Sequence, residues 1–175
     1  DSELAALTAA AGRASLGVSF RFANLGRLNH PLSVDLYADK TASRAKLVVV
    51  RAMGGAGYWP YGLDRLRELA RGGGPRLVVI PGEDRWDPAL EAFSTVAGEA
   101  ARRLWRYLVE GSAANCDHAL QYMAHLIGGA ELPPEPQIIP RAGCYWPGQG
   151  AVTLDELQER LDPNQASVSI VFYRA

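Results

Sequence analysis

The run Leu47-Val48-Val49-Val50 constrains this chain more than any other four residues in it. A strand made only of leucine and valine has no polar face, so it must be covered on both sides. A sheet covered on both sides is a parallel sheet between helices. A second run of the same kind, Leu77-Val78-Val79-Ile80, follows a segment in which Leu63, Leu66 and Leu69 recur three residues apart. That order, strand then helix then strand, predicts a parallel pair joined by a crossover helix.

The same alternation extends along the chain. Helices are expected over 2–11, with Ser2 as N-cap, over about 33–43, with Ser33 as N-cap, and over 62–70. Strands are expected over 17–24, where Phe20 and Phe22 fall on one side, over 46–51, over 76–80 and over 167–173. Residues 99–110 and the helix capped by Ser112 form a helical hairpin with a very short loop. Pro133, Pro134, Pro136 and Pro140 hold 131–140 extended. A glycine and aromatic cluster follows at 143–148, and Thr153 with Glu156 makes a capping box for a last helix. The fold class expected is α/β: a Rossmann- or flavodoxin-like, mostly parallel sheet with helices on both faces and an inserted helical hairpin. The organisation expected is an α/β core over 1–95, the hairpin over 96–130, a proline-rich return over 131–151, and over 152–175 a final helix and a strand that opens the next domain. Asp1 in place of Met, and an apolar strand at the other end, lead us to expect a fragment of a much larger subunit.

A net charge of −1 lacks the basic excess of a nucleic-acid surface. No apolar run approaches the ~20 residues of a membrane span, and no signal peptide is visible. Two cysteines, Cys116 and Cys144, make neither a disulfide framework nor a zinc site. A cytoplasmic protein with free thiols is the expectation.

Candidate chemistry concentrates where the first apolar run ends. Arg51 stands at its carboxyl end, the end that faces the ligand crevice in open α/β sheets. Gly54, Gly55 and Gly57 follow, then Tyr58, Trp59 and Tyr61. Arginine pairs with carboxylates and aromatic faces stack on flat rings, so this set suits a large planar anion. The competing reading is that the rings pack against a neighbouring domain. The glycines fit neither nucleotide fingerprint, GxGxxG or GxxxxGK[ST]. His30 and Asp35 in one loop are candidates for metal or proton chemistry, although Pro31 and Ser33 give that loop a purely structural reading, and spacing supplies no third ligand. Cys116, His118 and His125 lie on one helix at spacings that favour packing over metal binding, and Glu83, Asp84 and Asp87 read as a solvated acidic loop.

The segments HPLSVDLY, VVVRAMGGAGYWPYG, AFSTV, YMAHLIGG and GCYWPGQG, in this order and spacing, resemble the amino-terminal region of the large subunit of aerobic cobaltochelatase. This is the CobN family, related to the large subunit of magnesium chelatase. The resemblance covers essentially the whole chain. It implies a part in cobalamin biosynthesis: a multi-subunit metal chelatase that inserts Co²⁺ into hydrogenobyrinic acid a,c-diamide. ATP with Mg²⁺ is used by two AAA+-type partner subunits, not by this segment. It implies as partners the rest of the large subunit, those two ATPases and the tetrapyrrole, with Arg51, Tyr58, Trp59 and Tyr61 as tetrapyrrole contacts. No catalytic residue follows from it. The alternatives are a docking module of that subunit without catalytic residues, or a magnesium-chelatase relative.

Overall fold

The computed structural model describes residues 2–138 and 142–171. The chain divides into two compact units, residues 1–137 and 138–175. The first contains α1 (Ser2–Arg13), α2 (Pro31–Lys40), β1 (Leu47–Ala52), α3 (Pro60–Arg71), β2 (Arg76–Pro81), α4 (Pro88–Glu91), α5 (Gly98–Glu110) and α6 (Ala113–Leu126).

β1 and β2 are parallel, with Leu47 opposite Arg76 and Ala52 opposite Pro81. Side chains alternate across a strand, so two all-apolar strands give two apolar faces. Leu47, Val49, Val78 and Ile80 pack with Leu7 and Ala10 of α1, Leu104 and Tyr107 of α5, and Leu120 of α6. On the opposite face Val48, Val50, Leu77 and Val79 pack with Val34 and Ala38 of α2 and Leu63 and Leu66 of α3. Leu77, Val78, Val79 and Ile80 are fully buried. Helices therefore cover both faces, as the apolar runs require.

The sheet is smaller than the Rossmann-like one expected. Among the described residues it has two strands. The chain bends at Gly17, whose φ is +65°, and Val18, and residues 19–24 carry no regular structure and are not paired in any ladder. Phe20 and Phe22 side by side, rings 6.4 Å apart, anchor this segment to the α1–α5–α6 core. The expected strand over 167–173 is also unpaired: 167–171 carry no regular structure and are exposed, and Phe172 and Tyr173 lie outside the described residues.

At the far side of β2 two hydroxyls stand where a third strand would pair. Thr95 Oγ1 accepts the Leu77 N–H at 2.8 Å, and the Thr95 N–H returns to the Leu77 carbonyl at 2.8 Å. Ser94 Oγ accepts the Val79 N–H at 2.8 Å. Buried peptide groups need partners, and these residues supply them for the outer edge of β2.

Other local outcomes follow from side-chain chemistry. α2 begins one residue after His30, whose Nδ1 accepts the Leu32 N–H at 3.2 Å. Ser33 lies inside the helix, because Pro31 has no N–H to lose and fits the first helical position. The hairpin α5–α6 forms as expected, with the Ser112 hydroxyl capping α6. Residues 131–137 of the proline-rich return follow it without regular structure, and Pro140 lies outside the described residues. Arg103 donates to the Pro133 carbonyl at 2.6 Å, and the Tyr107 hydroxyl donates to that of Pro134. The buried Asn115 amide exchanges two hydrogen bonds with the Gln137 backbone, at 2.8 and 2.9 Å. In the second unit β3 (Cys144–Trp146) and β4 (Gly150–Val152) form an antiparallel hairpin from the glycine and aromatic cluster. α7 (Leu154–Arg160) carries the Thr153–Glu156 capping box.

Thr95→Val keeps the shape of the side chain and removes the acceptor for the buried Leu77 N–H. Stability in urea should fall by about 1–3 kcal/mol, the cost of an unsatisfied buried donor. Unchanged stability would mean that the hydroxyl does not close this edge.

Candidate functional site at the carboxyl end of the sheet

Both strands end at the same edge, and the loops that follow them interlock. Gly54 and Gly55 have φ of +82° and +74°, values that L side chains rarely adopt, so glycine is required for the chain to turn away from β1 here. The Gly54 N–H donates to Glu83 in the loop after β2. The Glu83 carbonyl accepts the Trp105 indole N–H at 3.0 Å, and Trp105 meets Trp86 edge to face at 5.4 Å.

Arg51 joins three elements at this edge. Its Nη2 donates to the Gly82 carbonyl at 2.9 Å, its Nε to the Pro81 carbonyl at 3.4 Å, and Nη1 pairs with Glu3 of α1. The side chain is 17% exposed. A guanidinium has five N–H donors in a fixed fork, and this one aims each of its three nitrogens at a protein oxygen.

Trp59 is 6% exposed and belongs to the core on the α2–α3 face. Its indole N–H donates to the Leu28 carbonyl at 2.8 Å. The ring lies over Gly62, where a Cβ would come within 2.1 Å of it, so glycine at 62 is the condition for the indole to lie there. Tyr58, the residue before, is 59% exposed, and Met53 beside it is also exposed. Tyr61, 45% exposed, points elsewhere: its hydroxyl lies 2.9 and 3.0 Å from the two carboxylate oxygens of Asp35. That hydrogen bond raises the Tyr61 phenol above its ordinary value. Arg65 approaches the same carboxylate at 3.4 Å and pairs with Asp39 at 2.9 Å.

Of the residues singled out from sequence, Arg51, Tyr58 and Trp59 therefore gather at one end of a groove beside β1, while Tyr61 and Asp35 form a separate pair between α2 and α3. His30 caps α2 through Nδ1. Among the described residues no three or more His, Cys, Asp or Glu side chains converge as a metal-binding set. Cys116 is buried, which pushes its thiol up, and His125 Nδ1 sits 3.1 Å from the Ala130 carbonyl. Glu83, which ties the two loops together, was not singled out as a site residue. Its only sequence signal is an acid in the turn Pro81-Gly82-Glu83, at the carboxyl end of a strand. No described helix is long and apolar enough to cross a membrane.

Two parallel strands between two helical layers, with their carboxyl-end loops tied together, make an α/β module. The chain is homologous to aerobic cobaltochelatase subunit CobN and corresponds to a small part of it. It is 42% identical to that subunit from Sinorhizobium sp over 183 aligned residues, covering 100% of this chain and 14% of the relative. Identity to the Pseudomonas aeruginosa subunit is 34% over 157 residues, covering 89% of this chain and 12% of the relative. The solved structure of the catalytic subunit of cobaltochelatase from Mycobacterium tuberculosis superposes with a TM-score of 0.60 at 26% identity, over 78% of this chain and 11% of that one. No protein-family model matches the chain.

The raised Tyr61 phenol gives a pH signature. Because the folded value exceeds the unfolded one of about 10, the contribution to stability is complete below that pH and is lost as pH rises through the folded value. Asp35→Asn should move one raised phenolate of an absorbance titration back toward the ordinary range, while the phenol of Tyr122, raised by burial, stays where it is. A titration curve identical to wild type would contradict the Tyr61–Asp35 pair.

Proposed function

We propose that these residues are a structural and substrate-facing module of the large subunit of an ATP-dependent cobaltochelatase. In this reading the whole enzyme inserts Co²⁺ into hydrogenobyrinic acid a,c-diamide, and two AAA+-type partner subunits hydrolyse ATP. The observation that carries the reading is homology to the cobaltochelatase subunit along the full length of this chain. Cobalt is substrate here.

The module's contribution is one of presentation. Arg51 fixes the carboxyl ends of both strands, and Trp59 pins the far end of the intervening loop to Leu28. Between these two anchors Tyr58 and Met53 remain exposed. An exposed phenol ring on a held loop offers a stacking face for a planar macrocycle at little cost in conformational entropy. Arg51 and Trp59 act as positioning residues for that face. In this reading recognition of the substrate's carboxylates falls to other residues, because three of the five Arg51 N–H groups already hold protein oxygens. A free tyrosine and methionine also fit a second reading, that the same loop docks on another part of the enzyme as an interface anchor.

Tyr58→Ala in the full-length subunit separates the two. A substrate face predicts tetrapyrrole binding weakened by roughly 5- to 30-fold, the worth of about 1–2 kcal/mol of stacking and buried area, with assembly of the ATPase partners unchanged. Unchanged tetrapyrrole affinity with impaired assembly would overturn the substrate reading in favour of the docking one.

A further inference from the structure

β1 has an unused edge. Arg76 donates to the Lys46 carbonyl and Gly82 to the Ala52 carbonyl, so the even-numbered residues of both strands bond to each other. In a parallel ladder, alternate residues turn their peptide groups to opposite sides. The odd residues of β2, Leu77 and Val79, accordingly meet Thr95 and Ser94. The odd residues of β1, Leu47, Val49 and Arg51, turn theirs to the other side, where no strand pairs with them among the described residues.

Along that side runs a groove of about 740 Å³. One wall is the whole of the β1 edge from Leu47 to Arg51, and the other is the segment 17–24, which carries no regular structure. In that segment Val18, Phe20 and Phe22 are half-buried and Ser19, Arg21 and Ala23 are exposed, the period of a strand. Its residues 17–23 make no backbone hydrogen bond among the described residues. The outward edge of β1 and a segment whose peptide groups have no protein partner among the described residues thus line one cavity. The floor and roof are apolar, from Leu7, Leu108 and Met123 on one side and Leu25, Leu28 and Leu66 on the other.

We infer that this groove receives one extended strand, which pairs with β1 through Leu47, Val49 and Arg51 and with residues 19–23 on its other side. The occupant is a strand of the same large subunit from outside these residues. The chain spans only 14% and 12% of the length of its two CobN relatives, so most of such a subunit is available to supply it. Its chemistry is set by the walls: about six residues to match Leu47–Ala52, apolar on both faces and rich in β-branched side chains. Main-chain hydrogen bonds would supply affinity, as in other cases of strand addition. The insertion turns β1 from an edge strand into a central one and completes a four-stranded sheet. It rests on the reading that these residues are part of a longer subunit, but not on what that subunit catalyses.

Hydrogen exchange at single-amide resolution tests it, on the 175-residue chain and on a full-length subunit containing it, without tetrapyrrole, cobalt or ATP. In the chain alone, the amides of Val48 and Val50 should be protected and those of Leu47, Val49 and Arg51 should exchange fast. In the full-length subunit the odd amides, together with alternate amides of 19–23, should slow by roughly a hundredfold or more, as expected once exchange requires sub-global opening. Val49→Pro removes one outward N–H and leaves the β1–β2 ladder intact. In the full-length subunit it should return the Leu47 and Arg51 amides toward the rate seen in the chain alone. Fast exchange of the odd amides in both proteins would overturn the inference. So would protection that appears in the chain alone as its concentration rises, which would assign the groove to a second copy. Because the readout is pairing and not turnover, loss of the chelatase reading would leave these outcomes unaffected.

Discussion

The parallel ladder between β1 and β2 is the element on which everything else here depends. Its ten or so apolar side chains point both ways, so neither face is stable until a helical layer covers it. α1, α5 and α6 form one layer and α2 and α3 the other. A sheet of two strands also has two edges, and the unpaired peptide groups of each must be met. At β2 the hydroxyls of Ser94 and Thr95 meet them within one loop's reach. At β1 the edge stays open beside a groove. The asymmetry between a closed and an open edge is the main physical fact about this module.

The carboxyl end of the ladder is held by charge as well as by the apolar packing of Ala52, Ile80 and Pro81. Arg51 reaches from β1 to the Pro81 and Gly82 carbonyls and to Glu3, joining the two strand ends and α1 through one side chain. Partly buried hydrogen bonds of a charged group are among the stronger ones, at about 1.5–3 kcal/mol each. Once this end is fixed, the Gly54-Gly55 turn and the buried Trp59 define where the loop between them lies. What the loop then offers outward is Tyr58 and Met53. The position of the loop is therefore set by residues that face inward, and Tyr58 and Met53 are left exposed on it.

Much of this was legible in the chain. Continuous valine and leucine runs gave both strands their place and their two-sided burial, and the helical hairpin and capping box followed from local spacing. What was not legible depended on long-range partners. Residues 17–24 have the period of a strand, but whether a strand pairs is decided by what lies beside it. Ser94 and Thr95 bond to residues 15 and 18 positions away, which no local pattern encodes. The aromatic cluster at 58–61 was visible as a unit, yet its three rings have three fates. Trp59 is buried because Gly62 leaves room for it, Tyr61 turns to Asp35, and Tyr58 alone stays free. His30 as the cap of α2 was signalled by Pro31 after it, a first-turn proline, more strongly than Ser33 signalled itself.

The central claim is that Arg51 and Trp59 hold the loop while Tyr58 presents it. A map of the full-length subunit with hydrogenobyrinic acid a,c-diamide bound, at a resolution that shows side chains, tests this most directly. The account predicts the Tyr58 ring in van der Waals contact with the macrocycle while the Arg51 guanidinium remains on the Pro81 and Gly82 carbonyls. A guanidinium that has left those carbonyls for a substrate carboxylate, or a macrocycle out of reach of residues 53–61, would contradict it.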